Sequence, residues 1–111
     1  MRKSLIHFIG KVTKFTADFT KSLKDGVTID RGVWSLDREQ KMIAAQSVVD
    51  GKAMVEIKDG EPGCQYVLIF DGKATDGTPL HAEYWLNTRR EESKTSVPIE
   101  PEISVGPITD E

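Results

Sequence analysis

The stretch from residue 63 to residue 90 constrains this chain most. It holds two strand-like runs, residues 65–70 and 80–88, separated by a polar connection over 71–79 that carries turn chemistry at Asp76-Gly77. Two such runs around an Asp-Gly turn predict a long antiparallel hairpin. Tyr66, Leu68 and Phe70 fall on one face of the first run, and Val67 and Ile69 on the other. A strand apolar on both faces suits the interior of a sheet better than its edge. In the second run Leu80, Ala82, Tyr84 and Leu86 alternate with His81, Glu83, Trp85 and Asn87. Trp85 thus stands on a mostly polar face, where it is either a partner contact or a sheet cover beside Arg89. A hairpin alone is marginal in water, so other strands must complete a core around it. The 111 residues fit one domain, which can bury roughly 65% of the unfolded surface.

The chain before the hairpin supplies those strands. Residues 1–11 read as an edge strand or as an arm that docks on a partner, with Leu5, Ile6, Phe8 and Ile9 as anchors. The apolar run there is too short for a signal peptide, His7 interrupts it, and no small-residue cleavage site follows. In residues 12–19, Phe15, Ala17 and Phe19 share a parity and point to one face. Residues 20–24 fit one helical turn, capped by Asp18 or Thr20, ended by Asp25-Gly26 and burying Leu23. Over 27–36, Val27, Ile29 and Val33 share one parity, whereas Trp34 and Leu36 have the other. A bulge at Gly32 would bring Trp34 and Leu36 inward, making Trp34 the largest core contributor; the alternative is an exposed Trp that grips a ligand. Residues 37–49 fit a loop and a short strand in an otherwise β chain, or a short helix on propensity alone. Asp50-Gly51 marks a hairpin turn. Residues 52–58 then alternate as a half-buried strand, with Ala53, Val55 and Ile57 on one face. Residues 59–63 form a turn-rich connection.

After Glu91 the pattern fails. Residues 93–111 carry Pro98, Pro101 and Pro107 among isolated apolar residues and predict an extended tail without a core of its own. At about 3 Å per residue it could reach on the order of 50 Å. The expected organisation is therefore an arm or edge strand over 1–11, a β domain over 12–92 and a tail over 93–111.

Little in the chain suggests reaction chemistry. A net charge of −3, with Lys and Arg interspersed among Asp and Glu, leaves no basic stripe for nucleic acid. Nothing approaches the length of a membrane-spanning helix. The single Cys64 cannot form an internal disulfide and reads best as a small semi-buried residue. Asp-Gly occurs at Asp25, Asp50, Asp59, Asp71 and Asp76; turns explain all five more simply than calcium loops, which need regularly spaced oxygen ligands. His7 and His81 lack neighbours at zinc spacing. No nucleophile elbow, Cys–His pairing or phosphate loop is evident. No catalytic, cofactor-binding or metal-ligating residue is assigned. The expected partner contacts are Phe8, Trp85, Pro98 and Pro101.

Two segments carry a resemblance. The first runs Asp18-Phe19-Thr20, Leu23, Gly26, Thr28-Ile29, then Trp34 and Leu36; the second runs Gly60, Gly63, Tyr66, Leu68, then Thr75-Asp76-Gly77. Together they resemble a family of small immunoglobulin-like proteins encoded among phage and prophage structural genes. The resemblance spans roughly residues 18–90. Asp71-Gly72 departs from it, lying where the family continues an unbroken strand, as does Thr78, where the family often has Arg. The resemblance implies an all-β, immunoglobulin-like antiparallel sandwich of about seven strands, with Trp34 and Tyr66 between the sheets. It also implies a virion or assembly protein without cofactors: a head–tail connector accessory, a capsid decoration protein or a tail component. Its partners would be other virion proteins and further copies of itself, with no nucleic acid or membrane involved. It would be made in the host cytoplasm. The competing expectation is a recognition module for host-surface carbohydrate or protein.

Overall fold

The computed structural model describes residues 3–90 and the backbone of residues 102–106. Pro98 and Pro101 lie outside the described residues. Eight strands are present among them: β1 (Lys3–Ile9), β2 (Thr13–Asp18), β3 (Ile29–Leu36), β4 (Ile43–Val49), β5 (Lys52–Ile57), β6 (Gln65–Ala74), β7 (Pro79–Arg90) and β8 (Glu102–Gly106). They form two four-stranded sheets, β1-β7-β6-β3 and β4-β5-β2-β8. The protein is an all-β sandwich. The orders β3-β6-β7 and β4-β5-β2 are consistent with the C-F-G and D-E-B runs of a constant-type immunoglobulin sandwich. The place that a first strand would take beside β2 belongs instead to β8, while β1 lies beside β7. Both of these terminal strands pair parallel, and every other pairing is antiparallel. A strand inside the tail is a departure from the sequence pattern. The main-chain edge of β2 supplies its hydrogen bonds whatever the side chains are.

The hairpin is longer and tighter than its composition suggests. β6 runs through Asp71-Gly72 as far as Ala74, and the connection is reduced to residues 75–78. Gly77 takes a φ of 92°, and Asp76 Oδ1 accepts the Thr78 N–H at 3.0 Å, which closes the turn. Gly72 lies opposite Gly32 of β3. A Cβ on Gly72 would come within 2.5 Å of the Arg31 carbonyl oxygen, so the glycine is there for close backbone approach within a strand.

The parity change in β3 also has a different seat from the expected one. Ile29 pairs with Ala74 and Arg31 with Lys73, so two steps on β3 face one step on β6, and the extra residue is Asp30. From that bulge onward Gly32, Trp34 and Leu36 face inward and Val33 faces out. Gly32 serves a different purpose, since it lies under the Phe70 ring.

The core fills the space between the sheets. Phe15, Ala17, Ala53, Val55 and Ile57 come from the second sheet, and Trp34, Leu36, Tyr66, Leu68, Phe70, Tyr84 and Leu86 from the first. Trp34 packs at 5.2 Å from Phe70 and 6.0 Å from Tyr84, and Phe19 at 5.5 Å from Phe70, all between ring centroids. Each such side chain stabilises the fold by about 1.5–3 kcal/mol through burial. The segment between β2 and β3 makes a single 3-10 turn at Thr20–Ser22, and Asp18 Oδ1 accepts the Thr20 N–H at 2.9 Å. A second short turn, Gln40–Met42, buries Met42 before β4 begins.

Candidate interaction face on the first sheet

Alternation along β1, β3, β6 and β7 decides what the outer face of the first sheet carries. In β7 the outward residues are His81, Glu83, Trp85, Asn87 and Arg89. In register beside them on β6 stand Asp71 (opposite His81), Ile69 (opposite Glu83), Val67 (opposite Trp85) and Gln65 (opposite Asn87). β1 places Ser4 beside Trp85, Ile6 beside Asn87 and Phe8 beside Arg89. β3 places Val33 beside Asp71 and Ser35 beside Ile69. A diagonal apolar stripe therefore crosses the sheet: Val33, Ile69, Val67, Trp85, Ile6 and Phe8.

The exposures single out this face. The large apolar residues that are exposed among the described ones are Ile6, Phe8, Val33 and Val49, at 38%, 37%, 53% and 62%. Three of these four lie on the stripe, and Val67, Ile69 and Trp85 between them are half-buried. The outer face of an antiparallel sheet is ordinarily polar. Among the described residues, the outer face of the second sheet is mixed: Lys14, Thr16, Lys52 and Glu56 share it with Met54 and Val49, which form no stripe across the strands.

Of the residues singled out in the sequence, Phe8 and Trp85 are brought onto this one face. The distance between the Phe8 and Trp85 rows is four residues of β7, about 14 Å at strand rise. Ile6, Val33, Val67 and Ile69 were not singled out. The odd-numbered parity of residues 65–70 contained the signal for two of them. Val33 needed the position of the bulge, and Ile6 needed the pairing of β1.

Charge brackets the stripe. At one end His81 lies between two carboxylates, Asp71 on Nδ1 and Glu83 on Nε2, the latter at 2.9 Å. Those two hydrogen bonds, Asp71 first, raise the imidazole above its usual pKa, so His81 holds a proton more readily than a free histidine. At the other end stand Arg89 beside Phe8 and the exposed Arg90. Arg38 stacks over the Tyr66 ring at 4.4 Å from its centroid and donates to the Gln65 carbonyl oxygen at 2.9 Å.

The two edges of this sheet differ. On β3 the main chain facing away from β6 is closed by side chains. Gln46 Oε1 accepts the Trp34 N–H at 2.9 Å, and Gln40 Oε1 accepts the Leu36 N–H at 3.0 Å. Each carboxamide also donates back, Gln46 Nε2 to the Trp34 carbonyl oxygen and Gln40 Nε2 to that of Leu36. Two glutamines thus stand in for a neighbouring strand and discourage edge-to-edge pairing. The other edge, β1, is anchored inward by His7. Its ring is fully buried, with Nδ1 at 2.9 Å from Thr13 Oγ1 and Nε2 at 2.9 Å from the Asp59 carbonyl oxygen. A carbonyl can only accept, so the neutral ring carries its proton on Nε2 and accepts the Thr13 hydroxyl at Nδ1. Burial lowers the His7 pKa, with the Asp59 carbonyl opposing that shift.

Among the described residues, no group of three or more His, Cys, Asp or Glu side chains is placed to hold a metal ion. No helix among them is long and apolar enough to cross a membrane. The chain matches no family model and no curated protein.

Proposed function

We propose that this β-sandwich is a non-enzymatic component of a phage particle or of its assembly, acting through protein–protein contacts. One observation carries the contact half of the reading: Val33, Ile69, Val67, Trp85, Ile6 and Phe8 form a continuous apolar stripe on a sheet face that would otherwise be polar. Such a patch marks an interaction surface. The sandwich supplies it on strands held by a packed core, so the face is presented rigidly. Trp and Phe contribute large contact areas at little cost in side-chain freedom.

The virion half rests on the resemblance of residues 18–90 to small immunoglobulin-like phage proteins. Trp34 and Tyr66 lie between the sheets, as that resemblance implies, and β6 runs unbroken through Asp71-Gly72. In a symmetric particle many weak contacts of one face combine through avidity, so a modest patch suffices. Head–tail connector accessory, capsid decoration and tail component are the roles such a module fills. The test is mass spectrometry of particles purified from the phage or induced prophage that encodes the chain. The expected result is the chain present at a fixed copy number relative to the capsid protein. Its absence from washed particles and from assembly intermediates would overturn the reading.

A further inference from the structure

We infer that the diagonal stripe on the first sheet is a docking line for one amphipathic α-helix of a partner protein, with basic residues over Asp71 and Glu83 and an acidic residue over Arg89. The inference rests on the reading above that the protein acts through protein–protein contacts, and it names the form and charge of the partner.

The shape of the stripe argues for a helix. Val33 stands in register with Asp71 and His81, and Phe8 with Arg89, so its two ends lie eight residues apart along β7 and at opposite edges of the four-stranded sheet. That is about 27 Å along the strands and about 14 Å across them, a line of roughly 31 Å. Its apolar side chains recur about every 6 Å, near the pitch of about 5.4 Å at which a helix of about 20 residues repeats one face. Polar residues border the line on both sides, Ser35, Gln65 and Asn87 on one and Ser4 and Glu83 on the other. A helix about 10 Å across covers such a line, whereas a sheet laid flat would also cover the polar borders. The main chain decides between a helix and a lone extended segment. An occupant of a face, unlike one at an edge, finds no main-chain groups of the sheet to pair with. An extended segment would bury its own N–H and C=O groups unpaired, and a helix satisfies them internally.

Charge fixes the direction of the helix. Asp71, His81 and Glu83 lie to one side of the line and toward its Val33 end, and Arg89 lies to the other side and toward its Phe8 end. Turning the helix end for end exchanges those two places, so a helix with bases at one and an acid at the other docks one way only. These groups are at the surface, so they set orientation and association rate more than affinity. Size sets the strength. A line of roughly 31 Å under a helix about 10 Å across gives roughly 300 Å² per side, well below a standard interface. The affinity of one copy should be on the order of 100 µM, and many copies in a particle raise it by avidity.

Peptide selection on the purified full chain tests the proposal. A library of random peptides of about 21 residues, displayed in many copies so that weak binding is retained, is selected on the parent and counter-selected on Trp85→Lys. The expected survivors carry apolar residues every three to four positions, with Lys or Arg on one flank. As free peptides they should turn helical on binding, by circular dichroism, with a Kd on the order of 100 µM that rises with salt. Ile6→Lys and Phe8→Lys, each checked for an intact fold, should weaken binding at least about tenfold. Val49→Lys, on the other sheet, should leave it unchanged. A spin label on the peptide N-terminus should broaden amide NMR signals at one end of the line only. The proposal is overturned by a selection without survivors, by survivors with an apolar period of two, by binding indifferent to the Ile6 and Phe8 variants, or by equal broadening at both ends. It is also overturned if sedimentation shows the chain alone pairing through these residues, since a second copy is then the occupant. A chain found in particles whose face takes no helix would overturn this inference alone, whereas a helix-binding chain absent from particles would overturn the virion reading alone.

Discussion

Gly32 of β3 lies directly under the ring of Phe70 on β6: a Cβ placed on Gly32 would fall 2.2 Å from Phe70 Cζ and 2.6 Å from Cε1. The ring is wedged between the glycine and Trp34, whose ring centroid is 5.2 Å away. A single hydrogen atom at residue 32 therefore sets how deeply the central aromatic cluster can settle. Gly32→Ala should destabilise the protein by about 1–3 kcal/mol through overpacking, since Phe70 has zero exposure and little room to move. Chemical denaturation measures the loss. Adding Phe70→Leu should cost less in the Gly32→Ala background than in the parent, and strict additivity of the two would show that the contact is not the cause.

The glutamine caps make a second prediction. Gln46→Ala removes both partners of the Trp34 main chain on its free side. The expected loss is about 1 kcal/mol, the net value of a hydrogen bond whose groups water can partly satisfy. The larger effect should be colloidal. The double variant Gln40→Ala/Gln46→Ala opens a run of β3 edge and should aggregate faster at concentrations where the parent stays clear, as followed by light scattering.

Two histidines should titrate on opposite sides of the ordinary imidazole pKa of 6.5. Desolvation lowers the His7 pKa, so the folded state binds its proton less readily than the unfolded chain does. The stability tied to neutral His7 is present above pH 6.5 and is lost as pH falls below it, through the folded pKa. His81 has the reverse sign: its pKa is raised, so its contribution is present below pH 6.5 and is lost as pH rises through the folded value. His81 is well exposed, so solvent screens its ion pairs and its share is the smaller. Net stability should thus decline on mild acidification, and His7→Gln should flatten that slope. Histidine ring signals followed by NMR across pH 4–9 check both directions.

Tyr84 offers a stabilising change. Its hydroxyl is buried without a hydrogen-bond partner among the described residues, and burial raises its pKa above the ordinary phenol value of 10.0. Tyr84→Phe removes an unsatisfied polar group at nearly constant volume and should add about 1 kcal/mol, read as a higher denaturation midpoint. The sign in alkali follows from the raised pKa. The parent keeps this contribution below pH 10 and loses it as pH rises further, whereas the phenylalanine variant should lack that alkaline decline.

Much of the architecture was legible in the sequence because a strand's period of two records which face each side chain takes. Tyr66, Leu68, Phe70, Leu80, Ala82, Tyr84 and Leu86 could be placed inward from alternation alone, and all are buried. Asp50-Gly51 and Asp76-Gly77 mark real hairpin tips. At the first, Asp50 takes a φ of 55°, while Gly51 provides space, since a Cβ there would come 2.7 Å from Thr20 Cγ2. Asp71-Gly72 carries the same dipeptide inside a strand. Only the neighbour across β3 distinguishes a glycine needed for close approach from one needed for a turn.

Alternation alone determined that this chain builds sheets with a shared core, and it determined the inward sets of β2, β5, β6 and β7. The tertiary structure decided which strands are neighbours. The bulge at Asp30 turned Val33 outward, and parallel pairing of β1 with β7 carried Ile6 and Phe8 to the side of Trp85. The same level of organisation set β8 against β2. Main-chain ladders are nearly blind to side-chain identity, so their register and order follow from the packing of the whole sandwich. The apolar face that carries the functional reading exists only once β1 and β3, distant in sequence, lie on either side of the β6–β7 hairpin.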